Sequence, residues 1–180
     1  MYRNSEYVMS KIYDPKGLAQ QAQIGVDLTV NNILRIRGAT VIPREGPTML
    51  GGYGEVKWSL GVEGTIYLEP GVAYGVEFDQ GLLELSSEES AFIIQRSSLN
   101  RSGVQLQGSV YDPGFSSDNL GATIYVHVPI VIERHARLAQ LLITTNEAVA
   151  QLYSGQFQNQ GNEAKDIDYG SYTSRYKGNQ

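Results

Sequence analysis

The sequence predicts an all-β domain, a jelly-roll-like distorted barrel or sandwich, followed by an arm that has little core of its own. Three observations carry this. Short runs of aliphatic and aromatic residues alternate with polar ones at period two, which places one side of each run inward. The runs recur at near-even spacing between Gly, Pro, Asn and Asp turn signals, with almost no helical period. From Tyr153 the composition shifts to Gly, Gln, Asn, Ser and Tyr, with few side chains able to pack. A chain of 180 residues is long enough for one sizeable core. The expected division is a β domain over 1–152 and a flexible arm over 153–180.

The elements follow in order. Tyr13 to Gly17 reads as a turn, and Leu18 to Gln23 as about one helical turn. From Ile24 the period becomes two: Ile24, Val26, Leu28 and Val30 point one way, Gly25, Asp27 and Thr29 the other. Ile33 to Ile36 continues this strand beyond a break at Asn31-Asn32. Gly38 to Gly54 is Gly- and Pro-rich and reads as a long loop. Strands are expected over Glu55–Val62, Thr65–Leu68, Val72–Phe78, Leu82–Leu85 and Ala91–Gln95. Val104 to Leu106 is a short alternating strand. Ala122–Val128 and Pro129–Glu133 follow, with Pro129 marking a bend or an edge. Leu138 to Ile143 is almost continuously apolar, as for a strand buried on both faces.

Composition narrows the function. With 14 basic and 19 acidic residues, the net charge of −5 offers no broad attraction to nucleic acid or to a membrane surface. An anionic ligand has to be held by local cations, for which Arg96, Arg101, Arg137 and Lys57 are the candidates. The absence of cysteine excludes a disulfide scaffold, suits a reducing cytoplasm, and removes the thiolates of a zinc nucleobase deaminase. No apolar run has the length of a membrane span, and Met1 to Ser10 is too polar for a signal peptide.

The most informative stretch is Gln95 to Phe115, QRSSLNRSGVQLQGSVYDPGF. Arg96, Ser97, Ser98 and Arg101 supply hydroxyl and guanidinium donors suited to phosphate. Asp112 supplies a carboxylate in a Tyr-Asp-Pro-Gly-Phe turn. The expectation is that a hairpin brings these two groups together within one piece of chain.

RSSLNRSG followed by DPGF resembles the core of the dUTPase and dCTP deaminase superfamily. Gly25-Val-Asp27-Leu28 is similar to its first motif, Arg137-Leu-Ala-Gln140-Leu141 to its fourth, and Gln156-Phe157-Gln-Asn-Gln160-Gly161 to the nucleotide-covering arm of the deaminase branch. Arg175 to Gln180 is a second, looser match to that arm. The resemblance implies a homotrimer with active sites at subunit interfaces, acting on dUTP or dCTP with Mg²⁺. It implies Asp112 as the base that activates water and Arg101 as a neighbour that joins the phosphate donors or orients Asp112. Arg96, Ser97, Ser98 and Gln140 would bind phosphate. Gly108 to Tyr111 would read the base through backbone groups. Phe115 would press on the deoxyribose, and Tyr153, Gln156, Phe157 and Gln160 would cover the nucleotide. Asp27 would lie near the Mg²⁺, through water.

One departure bears on the activity. Deaminase-branch members resemble DPGF followed, ten positions after the Asp, by a proton-shuttling Glu, and in this chain that position is Ala122. Hydrolysis needs only the Asp, so a dUTP diphosphatase is expected. A dCTP deaminase or a bifunctional enzyme, and a non-catalytic nucleotide sensor, are the alternatives.

Overall fold

The computed structural model describes residues 1–45, 48–56, 58, 64–155 and 158. Among them the chain forms α1 (Ser5–Ser10), β1 (Ile12–Tyr13), β2 (Gln20–Gln21), β3 (Val26–Ile36), β4 (Tyr53–Glu55), β5 (Thr65–Leu68), β6 (Val72–Phe78) and β7 (Gly81–Leu82). There follow β8 (Glu89–Gln95), α2 (Ser97–Arg101), β9 (Val104–Gln107), β10 (Val110–Tyr111), β11 (Gly121–Val126), β12 (Ile130–Glu133) and β13 (Arg137–Thr145). The main sheet is antiparallel in the order β10-β8-β13-β3-β6-β11-β9, with β2 and β4 added along β3. It curls into a half-barrel whose ends approach each other. The Leu106 N–H beside the β9 end donates to Gln95 Oε1 on β8 at 2.9 Å, and the Tyr111 hydroxyl of β10 donates to Gly121 O on β11. No helix among the described residues is long and apolar enough to cross a membrane.

The alternating residues fill the inside of this curl. Leu28, Val30 and Ile33 of β3 meet Tyr74, Val76 and Phe78 of β6, Ile124 and Val126 of β11, and Leu141 and Ile143 of β13, all buried. The period-two reading therefore locates the core. Asn31-Asn32 does not break β3; a register shift between Val30 and Asn32 against β6 absorbs the extra residue as a bulge.

Several expectations need correction. Leu18–Gln23 is not helical: Gln20 and Gln21 pair with Asp27 and Val26, so this segment is one arm of a hairpin. The helix lies earlier, at α1, where the Asn4 side chain accepts from the Tyr7 N–H at 2.9 Å and Glu6 stands in the first turn. Ile24 is 49% exposed, because the strand starts only at Val26. The strand after the long loop is Tyr53–Glu55, and much of the expected 55–62 run lies outside the described residues. Leu82–Leu85 shortens to Gly81–Leu82, and β11 stops at Val126, before Pro129.

A polar knot closes one flank. The Asp79 carboxylate is fully buried and receives Lys16 Nζ at 2.8 Å and Thr29 Oγ1 at 2.7 Å, with His135 Nδ1 at 2.8 Å. Burial alone would raise this carboxyl, but Lys16, His135 and Thr29 together outweigh it and hold Asp79 below its ordinary value. His135 sits at φ 63°, the one non-glycine in the left-handed region among the described residues, in the turn that leads into β13.

Candidate functional site

Strand pairing assembles the first half of the site. Asp27 on β3 lies directly opposite Gln140 on β13 and Gln20 on β2, so these three side chains share one face of the sheet. Arg137 begins β13, and Arg96 follows the end of β8, where its N–H donates to Leu138 O. Both guanidiniums turn onto Asp27: Arg96 Nε lies 3.2 Å and Arg137 Nη1 3.4 Å from the same oxygen, Oδ2. Arg137 also donates to Gln20 Oε1 at 2.7 Å. Asp27 is only 5% exposed, which rules out the simple exposed strand carboxylate. The two arginine side chains stay partly open to solvent. This is a carboxylate-braced pair of cations, an arrangement suited to a multiply charged anion.

Directly after Arg96, α2 carries Ser97 and Ser98, both exposed, and ends on exposed Arg101. Leu99 is the buried residue that anchors the helix to the core. The hydroxyls and the Arg101 guanidinium thus stand on the surface beside the braced pair in sequence.

The second half is the turn at Asp112. Its geometry follows from Pro113 at the second position and Gly114 at the third, with φ +86° at Gly114 and the Phe115 N–H donating to Asp112 O at 3.0 Å. Main-chain bonds pin the turn from two sides. Gly114 N–H donates to Leu85 O and Leu85 N–H to Phe115 O, while Tyr153 N–H donates to Pro113 O at 2.8 Å. The Asp112 carboxylate is exposed and has no hydrogen-bond or ion-pair partner among the described residues. Phe115 packs between Tyr111 (ring centroids 4.7 Å apart) and Tyr153 (5.6 Å), and is buried. Tyr111 is buried too, with its hydroxyl spent on Gly121 O, and desolvation pushes its phenol up to about 12. The Tyr111 and Phe115 side chains are thus committed to packing, and Asp112 is the exposed charged group of this turn. Gly108 belongs to the same packing, since a Cβ there would lie 2.1 Å from Ile93 O.

The two halves are not brought together in one chain, contrary to the sequence-based expectation. Tyr111 pairs with Ala91, so Asp112 stands across from Ser90, near the start of β8, whereas Arg96 follows its end. Six residues of extended strand separate those positions by about 20 Å. The hairpin reading failed because β9 and β10 do not pair with each other; β9 joins β11 and β10 joins β8.

Among the described residues no group of three or more His, Asp or Glu side chains is placed to hold a metal. Asp27 alone, against two guanidiniums, is not a site for a free dication. Lys57, Gln156, Phe157, Gln160 and Gly161 lie outside the described residues, as does the looser match at 175–180. Gln158, which the sequence reading did not single out, bonds to the segment that follows Asp112. Its Nε2 donates to Gly114 O at 2.8 Å and its Oε1 accepts from the Ser116 N–H at 3.4 Å.

A family model described as dCTP deaminase-like matches residues 5–146, from α1 to just past β13. The chain belongs to the dCTP deaminase-like family. Among relatives of this dCTP deaminase-like chain, a protein of Halobacterium salinarum named "Probable deoxyuridine 5'-triphosphate nucleotidohydrolase" is 27% identical over 168 residues, covering 92% of this chain and 98% of the relative. A protein of the same name from Aeropyrum pernix is 32% identical over 140 residues, 76% of this chain and 84% of the relative. The deoxyuridine 5'-triphosphate nucleotidohydrolase of Methanocaldococcus jannaschii is 30% identical over 144 residues, 77% of this chain and 87% of the relative. In structure, the chain resembles the 2'-deoxycytidine 5'-triphosphate deaminase of Agrobacterium tumefaciens, with a TM-score of 0.61 at 18% identity. That match covers 79% of this chain and 46% of the other, so the chain spans about half its length. A Staphylococcus bacteriophage 80alpha dUTPase gives a TM-score of 0.50 at 14% identity, over 81% and 95% of the two chains. At such identities these structures show the shared β fold.

Position 122 of this dCTP deaminase-like chain is also fixed by register. Ala122 pairs with Val76 on β6 and packs against the core. The neighbouring Glu77 is opposite Gly121 and, by alternation, on the other face. Burial pushes its carboxyl up, partly offset by a hydrogen bond from Asn32.

Proposed function

We propose that the chain hydrolyses dUTP to dUMP and pyrophosphate, with water activated by Asp112. The observation that carries this reading is an exposed carboxylate, unpartnered among the described residues, on a turn held by main-chain bonds, in a chain with several relatives named as nucleotidohydrolases. A base needs a free lone pair and a fixed position, and Asp112 has both. Arg96, Ser97, Ser98, Arg101 and Gln140 hold the phosphates, with Asp27 bracing Arg96 and Arg137. Backbone groups of Gly108 to Tyr111 read the uracil, and Phe115 lies under the sugar. Mg²⁺ would arrive on the triphosphate and neutralise charge there, with Asp27 as a water-mediated neighbour.

The separation of the half-sites, about 20 Å for six residues of extended strand, supports a homotrimer in which the Asp112 turn of one subunit faces the Arg96 and Gln140 cluster of another. The arm over 153–180 covers the nucleotide. Deamination of dCTP is disfavoured, because Ala122 supplies no acid or base and Glu77 faces away.

A product assay with Mg²⁺ tests the reading directly. Offered separately, dUTP should yield pyrophosphate and dCTP should yield no ammonia. Ammonia from dCTP would return the deaminase, and binding of dUTP without product would make the chain a sensor. Asp112→Asn should abolish pyrophosphate release while a non-hydrolysable dUTP analogue still binds; undiminished turnover would remove Asp112 as the base.

A further inference from the structure

We propose that Leu152, Tyr153 and Gln158 strap the Asp112 turn from behind, with Gln158 as a positioning residue for the base. The inference rests on the hydrolase reading for its catalytic part and on geometry for the rest. After β13 the chain returns to this turn and touches Pro113, Gly114 and Phe115. Tyr153 N–H donates to Pro113 O at 2.8 Å, and Leu152 Cβ would lie 2.7 Å from a Cβ added to Gly114. The Tyr153 ring packs on Phe115 with centroids 5.6 Å apart.

Gln158 then bridges the two ends of the Gly114-to-Ser116 segment. Its amide donates to Gly114 O at 2.8 Å and accepts from the Ser116 N–H at 3.4 Å. A carboxamide meets one carbonyl and one N–H in a single orientation only, because a flip would set donor against donor and acceptor against acceptor. Gln is therefore specified, where Glu would lose the donor and set a charge against the Gly114 carbonyl. Gly114 must be glycine at φ +86°, and a flexible residue in a two-position turn needs external fixing. The strap supplies it, from the same chain that carries Asp112.

The experiment compares Gln158→Ala and Gln158→Glu in the full-length protein. Hydrogen exchange of the Ser116 amide, read without nucleotide, tests the strap alone. It should quicken in both variants, and unchanged exchange would overturn the proposal. Steady-state kinetics on dUTP test the positioning role. The expected result is kcat lowered about tenfold with KM little changed, the pattern of a misplaced base. A raised KM at constant kcat would make Gln158 a nucleotide contact and overturn the role assigned here. So would a loss of kcat matched by a fallen Tm in Gln158→Ala and fully restored by cooling, since that is a purely structural effect. Absence of turnover in the unsubstituted protein would remove the hydrolase reading and the positioning role with it, while Ser116 exchange still decides the strap.

Discussion

Asp27 illustrates how one side chain sets the character of its neighbours. Two guanidiniums on a single buried oxygen are held in place before any ligand arrives, and the ligand then meets ordered donors instead of free rotamers. Charge-assisted hydrogen bonds contribute about 1.5–3 kcal/mol. Asp27→Asn is thus expected to weaken binding of a non-hydrolysable dUTP analogue by about tenfold or more in calorimetry. Unaltered affinity would mean that the arginines keep their places unaided. Tyr111 makes the opposite case, a polar group withdrawn from chemistry. Its phenol, raised to about 12 by burial, holds its proton more tightly folded than unfolded. The linked stability is therefore complete below about pH 10 and is lost as pH climbs through about 12. Tyr111→Phe should cost about 0.5–1.5 kcal/mol in denaturant unfolding, flatten that alkaline loss, and leave the pH–rate profile near neutrality unchanged.

At the level of elements, β8 acts as the spacer of the site, and its pairing with β10 depends on close backbone approach. Gly108→Ala would drive a Cβ to 2.1 Å from Ile93 O. Overpacking of this kind costs about 1–3 kcal/mol or more, and the variant should show both a lower Tm and a displaced Asp112 turn with reduced kcat. The Asp79 knot belongs to this scale as well, since it ties the turn before β13 to β3 and to the N-terminal segment. Its carboxyl is held below the ordinary value, so its stabilisation is present above about pH 4 and is lost as pH falls through the depressed value. Lys16→Met should lower Tm at pH 7 and shrink the difference between pH 7 and pH 3; an unchanged difference would assign the acid sensitivity elsewhere. Much of this level was legible in the sequence. The alternation from Val26 to Val30, the apolar run Leu138–Ile143 and the Pro113-Gly114 turn are local signals, and each became the expected element. The strand pairing was not legible. Nothing in Val104–Tyr111 states that β9 and β10 join different neighbours, because that choice is made by long-range packing. Gln158 escaped for the same reason: its partners, Gly114 and Ser116, are more than forty positions away. The Asp79 knot likewise draws on four separated segments. The helix α1 could have been found, from Asn4 followed by Glu6.

For the whole molecule, the separation of the half-sites makes a test that no single chain can pass. Asp112→Asn and the double variant Arg96→Ala/Ser97→Ala should each be nearly inactive alone. Co-assembled in equal amounts, they should recover about a quarter of the unsubstituted turnover, the share of interfaces that pair two intact halves at random. A mixture that stays inactive would place the site within one chain and remove the interface reading. A last consequence follows from how the Asp112 turn is anchored. Leu85, Phe115 and Tyr153 hold it through main-chain atoms, which every residue but proline supplies alike. A substitution at Leu85 or Tyr153 therefore leaves these main-chain bonds in place, and what it forfeits is packing: Leu85 is buried in the core and the Tyr153 ring lies on Phe115. The identity of the residue matters most at Asp112, Pro113 and Gly114, which carry the carboxylate and the turn that presents it. A chain organised in this way can diverge widely over most of its length and still keep one short word of its sequence readable.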